Sequence, residues 1–335
     1  MALDDDQVRE LVRRFVAIEM GGWDDAAFGR ALEVLGWRAA EYSDEELEWQ
    51  RRRRRPSGRE EYETGLGTGR GVFARHGAGD ERSQISVRAG EGEELFRRLR
   101  SAIEDELGVP SVMRGPGPSL RWRGKDRLLE LEHGRLGVYL ELRPLEAVEN
   151  AEYQVAKWGE AEDGLGPLGY WQVVNWKEGE ADLFVPGGYF ADGWAEFEER
   201  LAKTLVAVVR DFALLGDLGD FVVVVRAPGD RRFVQWYASG PMLWIEAGIP
   251  DESDAAWSAA MAESGWLPSD SEGSGKLLVI REFPVLGDEE AATAAHMLVG
   301  TLQSYGAAFE DLWYELISPD VHLLGIGLPT RPGGR

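Results

Sequence analysis

Trp194, Phe197, Leu201, Leu205, Val208, Phe212 and Leu215 recur every three or four positions, a spacing that only a helix gathers onto one face. At 3.6 residues per turn the stripe runs for about six turns. An apolar stripe of that length has to lie across a sheet, and the residues after it supply one. Strands are predicted over Phe221–Arg226, Phe233–Ala238 and Leu243–Ala247, separated by the turn-forming runs Ala227-Pro228-Gly229-Asp230 and Ser239-Gly240-Pro241. A short helix over Asp254–Ser264, a fourth strand over Leu277–Phe283 and a closing helix over Asp288–Tyr305 complete the order α-β-β-β-α-β-α. That order predicts an α+β fold with an antiparallel sheet.

The chain has 335 residues, more than the ~100–200 of a usual domain, and predicts two domains. In the first half, Val8, Leu11, Val12, Phe15 and Ile18 mark one helix, and the Trp23–Leu35 segment, stopped by Gly36, marks another. Strands are expected near Gly69–Arg75 and Gln84–Arg88, then a helix over Glu91–Leu107. Strands over Ser119–Arg123, Arg127–Glu132 and Arg135–Leu142 follow. Residues 163–190 are rich in Gly and Pro around Tyr170, Trp171 and Trp176, the composition of a linker whose aromatics pack down. The expected division is therefore an α+β domain over 1–162, a linker over 163–190, and a second α+β domain over 191–335, each domain an antiparallel sheet packed with helices.

Composition removes several kinds of chemistry. With no cysteine there is no disulfide, thiolate nucleophile or cysteine-held metal. The four histidines, His76, His133, His296 and His322, stand at no recurring metal-ligand spacing. The glycines Gly65, Gly67, Gly69 and Gly71 lack the spacing and following helix of a phosphate cradle. Gly273-Ser274-Gly275-Lys276 lacks both the first glycine and the hydroxyl of a Walker loop, with Asp270 and Leu277 in those places. No GxSxG elbow is present. The expectation is a protein that is not an enzyme and needs no cofactor or metal.

A net charge of −23 disfavours nucleic acid and anionic membranes as partners. The basic run Arg51–Arg55 reads as a patch for an anionic ligand or nucleic acid or, the reading favoured, as a solvated loop or helix end beside the acidic run 41–48. The amino terminus MALDDDQVRELVRRF lacks the apolar core of a secretion signal, and no run is long enough to span a membrane, so a cytoplasmic location is expected.

Alternation across the second sheet puts Val234, Trp236, Ala238, Leu243, Ile245 and Ala247 on one face. Phe233, Gln235, Tyr237, Met242, Trp244 and Glu246 fall on the other. Both faces carry large apolar groups, and the long helix can cover only one. The second face is either covered by the closing helix 288–305 or the first domain, or is the candidate surface for a peptide or protein client or for a second copy in a homodimer.

Trp194 at the head of the helix, Phe233-Val234-Gln235-Trp236, Ile245-Glu246, Gly265-Trp266-Leu267-Pro268 and the helix from Asp288 resemble the peptide-binding chaperone-like domains related to YbjN and the type III secretion chaperones, a group often carried by actinobacteria. About a third of the chain is covered. Leu35-Gly36-Trp37 echoes Ser264-Gly265-Trp266, so the first half resembles the pattern more faintly. The resemblance implies a non-enzymatic chaperone or adaptor that holds protein segments on its sheet. The charge leaves a second reading open, an acidic immunity or inhibitor protein that caps a basic toxin or nuclease.

Overall fold

The computed structural model describes residues 3–40, 59–65, 70–158, 169–175, 190–216, 222–250, 255–269, 278–317 and 321–330. The basic run Arg51–Arg55 and the segment Gly273–Lys276 lie outside them. The chain divides into two compact units, Met1–Gly159 with Val174–Val185 and Glu160–Val173 with Pro186–Arg335. Each is α+β with antiparallel strand pairing, as the element order predicts.

In the first unit, helices α1 (Asp5–Ala17), α2 (Asp25–Leu35), α3 (Glu93–Leu107) and α4 (Leu145–Trp158) accompany eight strands. These are β1 (Arg38–Ala39), β2 (Arg59–Glu63), β3 (Arg70–Ala74), β4 (Gln84–Gly90), β5 (Val112–Gly115), β6 (Ser119–Arg123), β7 (Arg127–Gly134) and β8 (Gly137–Pro144), laid side by side as β1-β2-β3-β4-β8-β7-β6-β5. Helix α1 starts where Asp4 accepts from the Gln7 amide at 2.9 Å and Gln7 accepts from the Asp4 amide at 3.0 Å, a reciprocal cap. Helix α2 stops at Gly36, whose φ of +65° only glycine adopts freely.

Beyond Gly36 the buried Trp37 meets Phe15 and Phe73, and Phe73 also meets Phe28 and Tyr62. The Trp37 ring lies so close over Gly71 that a Cβ there would come within 2.0 Å of it. The last of the alternating glycines is thus a packing requirement of this core. Helix α4 was not legible from the sequence; it lies against β7 and β8.

In the second unit, α5 (Trp194–Leu215), α6 (Ala255–Glu263) and α7 (Asp288–Ser304) accompany a six-stranded sheet in the order β13-β14-β12-β11-β10-β15. The strands are β10 (Val222–Arg226), β11 (Phe233–Ser239), β12 (Met242–Gly248), β13 (Leu267–Pro268), β14 (Leu278–Phe283) and β15 (Trp313–Leu316). The predicted bounds of α5 match, because its apolar stripe runs into Gly216 at φ +74°. Helices α5 and α7 pack on each other and against the sheet. Ala291, Ala294 and Ala295 of α7 are fully buried, and their small side chains allow the close approach. The two-residue β13 and the late β15 extend the sheet beyond the predicted four strands.

Within the region expected as a linker, residues 169–175 and 190 are described. They contain a strand, β9 (Trp171–Val174), whose first three residues belong to the second unit. Trp171 is fully buried, donates from Nε1 to Asp211 Oδ2 at 2.8 Å, and stands edge-on to Phe212 at 5.0 Å. The last described segment ties this unit together. Val321 and His322, strand β16, pair with Val173 and Gln172; Gly325 donates to the Tyr170 carbonyl; Ala191 donates to the Gly327 carbonyl; Tyr314 donates to the Pro329 carbonyl. Leu323, Leu324, Ile326 and Leu328 are buried along the way.

Candidate functional site

Strands β11 and β12 have the two-sided character that their alternation predicts. Val234, Trp236, Ala238, Leu243, Ile245 and Ala247 are buried, none more than 6% exposed. The helices α5 and α7 account for that side. Phe233, Gln235, Tyr237, Met242, Trp244 and Glu246 are each only half-buried. A period of two along each strand sends neighbours to opposite faces, and the antiparallel register makes the two strands agree.

The register assembles this second face into rows. Tyr237 stands opposite Trp244, and the two rings stack in parallel, 7° apart in plane with centroids 4.8 Å apart. Val222 extends that row on one side and Glu282 on the other. The next row crosses all six strands: Glu315, Val224, Gln235, Glu246, Ile280 and Leu267. In it Gln235 donates from Nε2 to Glu246, and Leu267 is 55% exposed at the margin. The third row is Trp313, Arg226 and Phe233. The Arg226 guanidinium lies 5.6 Å from the Phe233 ring centre and 5.8 Å from that of Trp313, and its Nε is bound to Glu315 at 2.6 Å.

Gly248 makes room for Phe233. A Cβ at Gly248 would stand 2.7 Å from the Phe233 ring and 2.3 Å from the Arg231 carbonyl oxygen. The face therefore holds the six residues expected from the sequence together with Arg226, Ile280, Glu282, Trp313 and Glu315. These five come from β10, which precedes β11 in a hairpin, and from β14 and β15, which sheet register brings in from further along the chain.

Each margin of the sheet is engaged in part among the described residues. On the β15 side the Tyr314 amide is taken by the Pro329 carbonyl, and Thr330 forms a parallel bridge with Tyr314. On the other side β13 is two residues long, and Pro268 has no N–H to donate.

A cluster of buried charges lies elsewhere, in the first unit. Arg121 of β6 is 5% exposed and reaches Glu130 of β7 at 2.9 Å and Glu152 of α4 at 2.8 and 3.0 Å. Arg114 bonds Glu152 at 2.6 Å, and Arg143 bonds Glu130 at 3.2 Å. Burial pushes the Glu130 carboxyl up, but Arg121, with Arg114 and Arg143 behind it, outweighs burial and holds the group down at about 2. Glu152 is held at about 2 in the same way, against its burial, by Arg121 and Arg114. Each charge is engaged by another protein group, and the arrangement fastens α4 to the sheet.

A cavity of about 110 Å³ between Phe15, Leu107, Trp122, Arg127 and Leu142 is below the size of ordinary ligand sites, roughly 300–1,000 Å³. Among the described residues no three His, Asp or Glu side chains gather in a way that could hold a metal ion. No helix among them is long and apolar enough to cross a membrane.

Residues 187–313 match a family described as T3SS (YopN, CesT) and YbjN peptide-binding chaperone 3. The match takes in α5 to α7, strands β10 to β14 and the first residue of β15, and so contains the half-buried aromatic face. The similarity bears out the resemblance read in the second half; residues 1–186 lie outside it. No curated protein matches the chain.

Proposed function

We propose that this protein is a non-enzymatic chaperone or adaptor that holds a peptide or protein segment on the face made by Phe233, Gln235, Tyr237, Met242, Trp244 and Glu246. The stacked, half-buried pair Tyr237–Trp244 carries the reading. Two aromatic rings kept at the surface by neighbours that are fully packed underneath are anchors of the kind that dominate protein interfaces. The family that residues 187–313 match is described as peptide-binding, which is the same class of activity.

Side chains on the open face grip the client, while Pro329 and Thr330 at one margin and Pro268 at the other each take up part of an edge that strand addition would use. The protein works in the cytoplasm and takes no nucleic acid, membrane or metal as partner.

Short overlapping peptides from unfolded proteins, probed with the full chain and with Trp244→Ala and Tyr237→Ala, test this. Aromatic-rich peptides should bind the native chain and lose affinity for both variants. Equal binding to native and variant chains would remove the face from the function.

A second reading rests on the net charge of −23, which suits a protein that neutralises one basic toxin or nuclease. It calls for tight, one-to-one binding of a folded basic protein with no binding of unfolded peptides.

A further inference from the structure

We infer that the client segment carries arginine: the row Tyr237, Trp244, Glu282 is built to receive a guanidinium as its next stacked layer. The inference rests on the peptide-binding reading above and specifies what that face selects.

Neighbouring strands in a sheet lie about 4.7–4.9 Å apart. The Tyr237 and Trp244 ring centres are separated by 4.8 Å and their planes by 7°. The rings therefore stack along the hydrogen-bonding direction of the sheet, one ring per strand. Tyr237 covers one side of the Trp244 ring, and the next strand along that direction is β14, where Glu282 stands opposite Trp244. Glu282 is exposed. A flat cation that enters at this level lies on Trp244 and meets a carboxylate at its edge. Guanidinium is planar, stacks on indole and pairs with a carboxylate through two parallel N–H groups, whereas an ammonium does neither of the last two.

The surrounding charge points the same way. Of the ionic groups in the three rows, Arg226 is bound to Glu315, which leaves Glu246 and Glu282 as the carboxylates flanking Trp244 along its strand and across it. A second copy of the chain fits the face poorly. A two-fold interface brings the same patch against itself, and here that sets Glu246 and Glu282 near their own counterparts. Aliphatic or aromatic residues beside the arginine would meet Met242, Phe233, Ile280 and Leu267.

Four synthetic peptides with one apolar pattern, differing at a single position as arginine, lysine, citrulline or glutamate, separate the possibilities by fluorescence anisotropy with the full chain. Citrulline keeps the planar shape and removes the charge. The arginine peptide should bind about tenfold more tightly than the citrulline peptide at low salt, with lysine between them, and the gap should narrow as salt rises. Glu282→Gln, checked for an unchanged thermal melt, should abolish the arginine preference while leaving the citrulline peptide's affinity as it was.

Equal binding of the arginine and citrulline peptides, or preference for glutamate, overturns the inference but leaves peptide binding intact. If no peptide binds and Trp244→Ala changes nothing, the inference falls together with the reading beneath it. A concentration-dependent dimer in sedimentation, dissolved by Trp244→Ala, would instead assign the face to a second copy.

Discussion

Two tryptophans on adjoining strands set up a direct comparison. Trp236 belongs to the row Val223, Trp236, Ile245 under the helices and is fully enclosed, whereas Trp244, opposite Tyr237 in the neighbouring row, is half-buried. Truncating a fully buried Trp to Ala removes its transfer energy and leaves a cavity, at a cost of about 3–5 kcal/mol. Truncating Trp244 removes one stacked pair, about 0.5–1.5 kcal/mol, and the burial of part of one ring; about 1–2 kcal/mol in all follows.

With an m-value of about 2 kcal/mol/M in urea, Trp236→Ala should move the midpoint by roughly 2 M and Trp244→Ala by less than about 1 M. Peptide binding under native conditions should respond in the reverse order, with Trp244→Ala losing it and any folded fraction of Trp236→Ala keeping it. Should Trp244→Ala unfold the chain as readily as Trp236→Ala, the second face is enclosed and the assignment of a client surface is refuted.

Gly248→Ala should displace the Phe233 ring and the Arg231 backbone, lowering both the melting temperature and peptide affinity, which a thermal melt and the same anisotropy assay read together. Arg121→Met leaves Glu130 and Glu152 buried with Arg114 and Arg143 as partners, and should cost about 3 kcal/mol in urea unfolding, the lower end for a broken buried pair. Acid should weaken the first unit: Glu130 and Glu152 sit at about 2 in the fold against an ordinary 4.5, so their contribution is complete above about 4.5 and is lost as pH falls from there towards 2. Circular dichroism between pH 6 and 2 should record a loss of stability that Arg121→Met blunts. A fragment beginning at residue 190 lacks Trp171 and the partner strand of Val321, and should melt at a lower temperature than one beginning at residue 169.

How much of this could be read from the chain depended on the length and purity of each pattern. The stripe from Trp194 to Leu215 is unbroken and closed by a glycine, so its helix was legible to the residue. The alternation of β11 and β12 separated covered from uncovered side chains at every position. Strands β13 and β16 have two residues each, too few for any period to show. Arg226 joins the candidate site across the β10–β11 turn, and Glu282 and Trp313 join it through register with strands distant in sequence, which no local pattern encodes. In the first unit, Arg121 and Glu130 alternate with apolar residues as solvent-facing positions do. They are buried because α4, whose Glu149 and Glu152 interrupt its own apolar spacing, brings Glu152 onto Arg121, while Arg121, Arg114 and Arg143 surround Glu130. A polar strand face covered by a charged helix looks, residue by residue, like one covered by water.

The open second face also governs time. A segment held by ring stacking and single ion pairs on an open face has no ladder of main-chain bonds to unzip, so it leaves as readily as its few anchors let go. Such a surface suits brief residence and repeated recapture. A client that departs carries no imprint of strand structure, and where Pro268 and the chain's own Pro329 and Thr330 stand, the sheet presents less of a template for strand pairing to its clients and its copies.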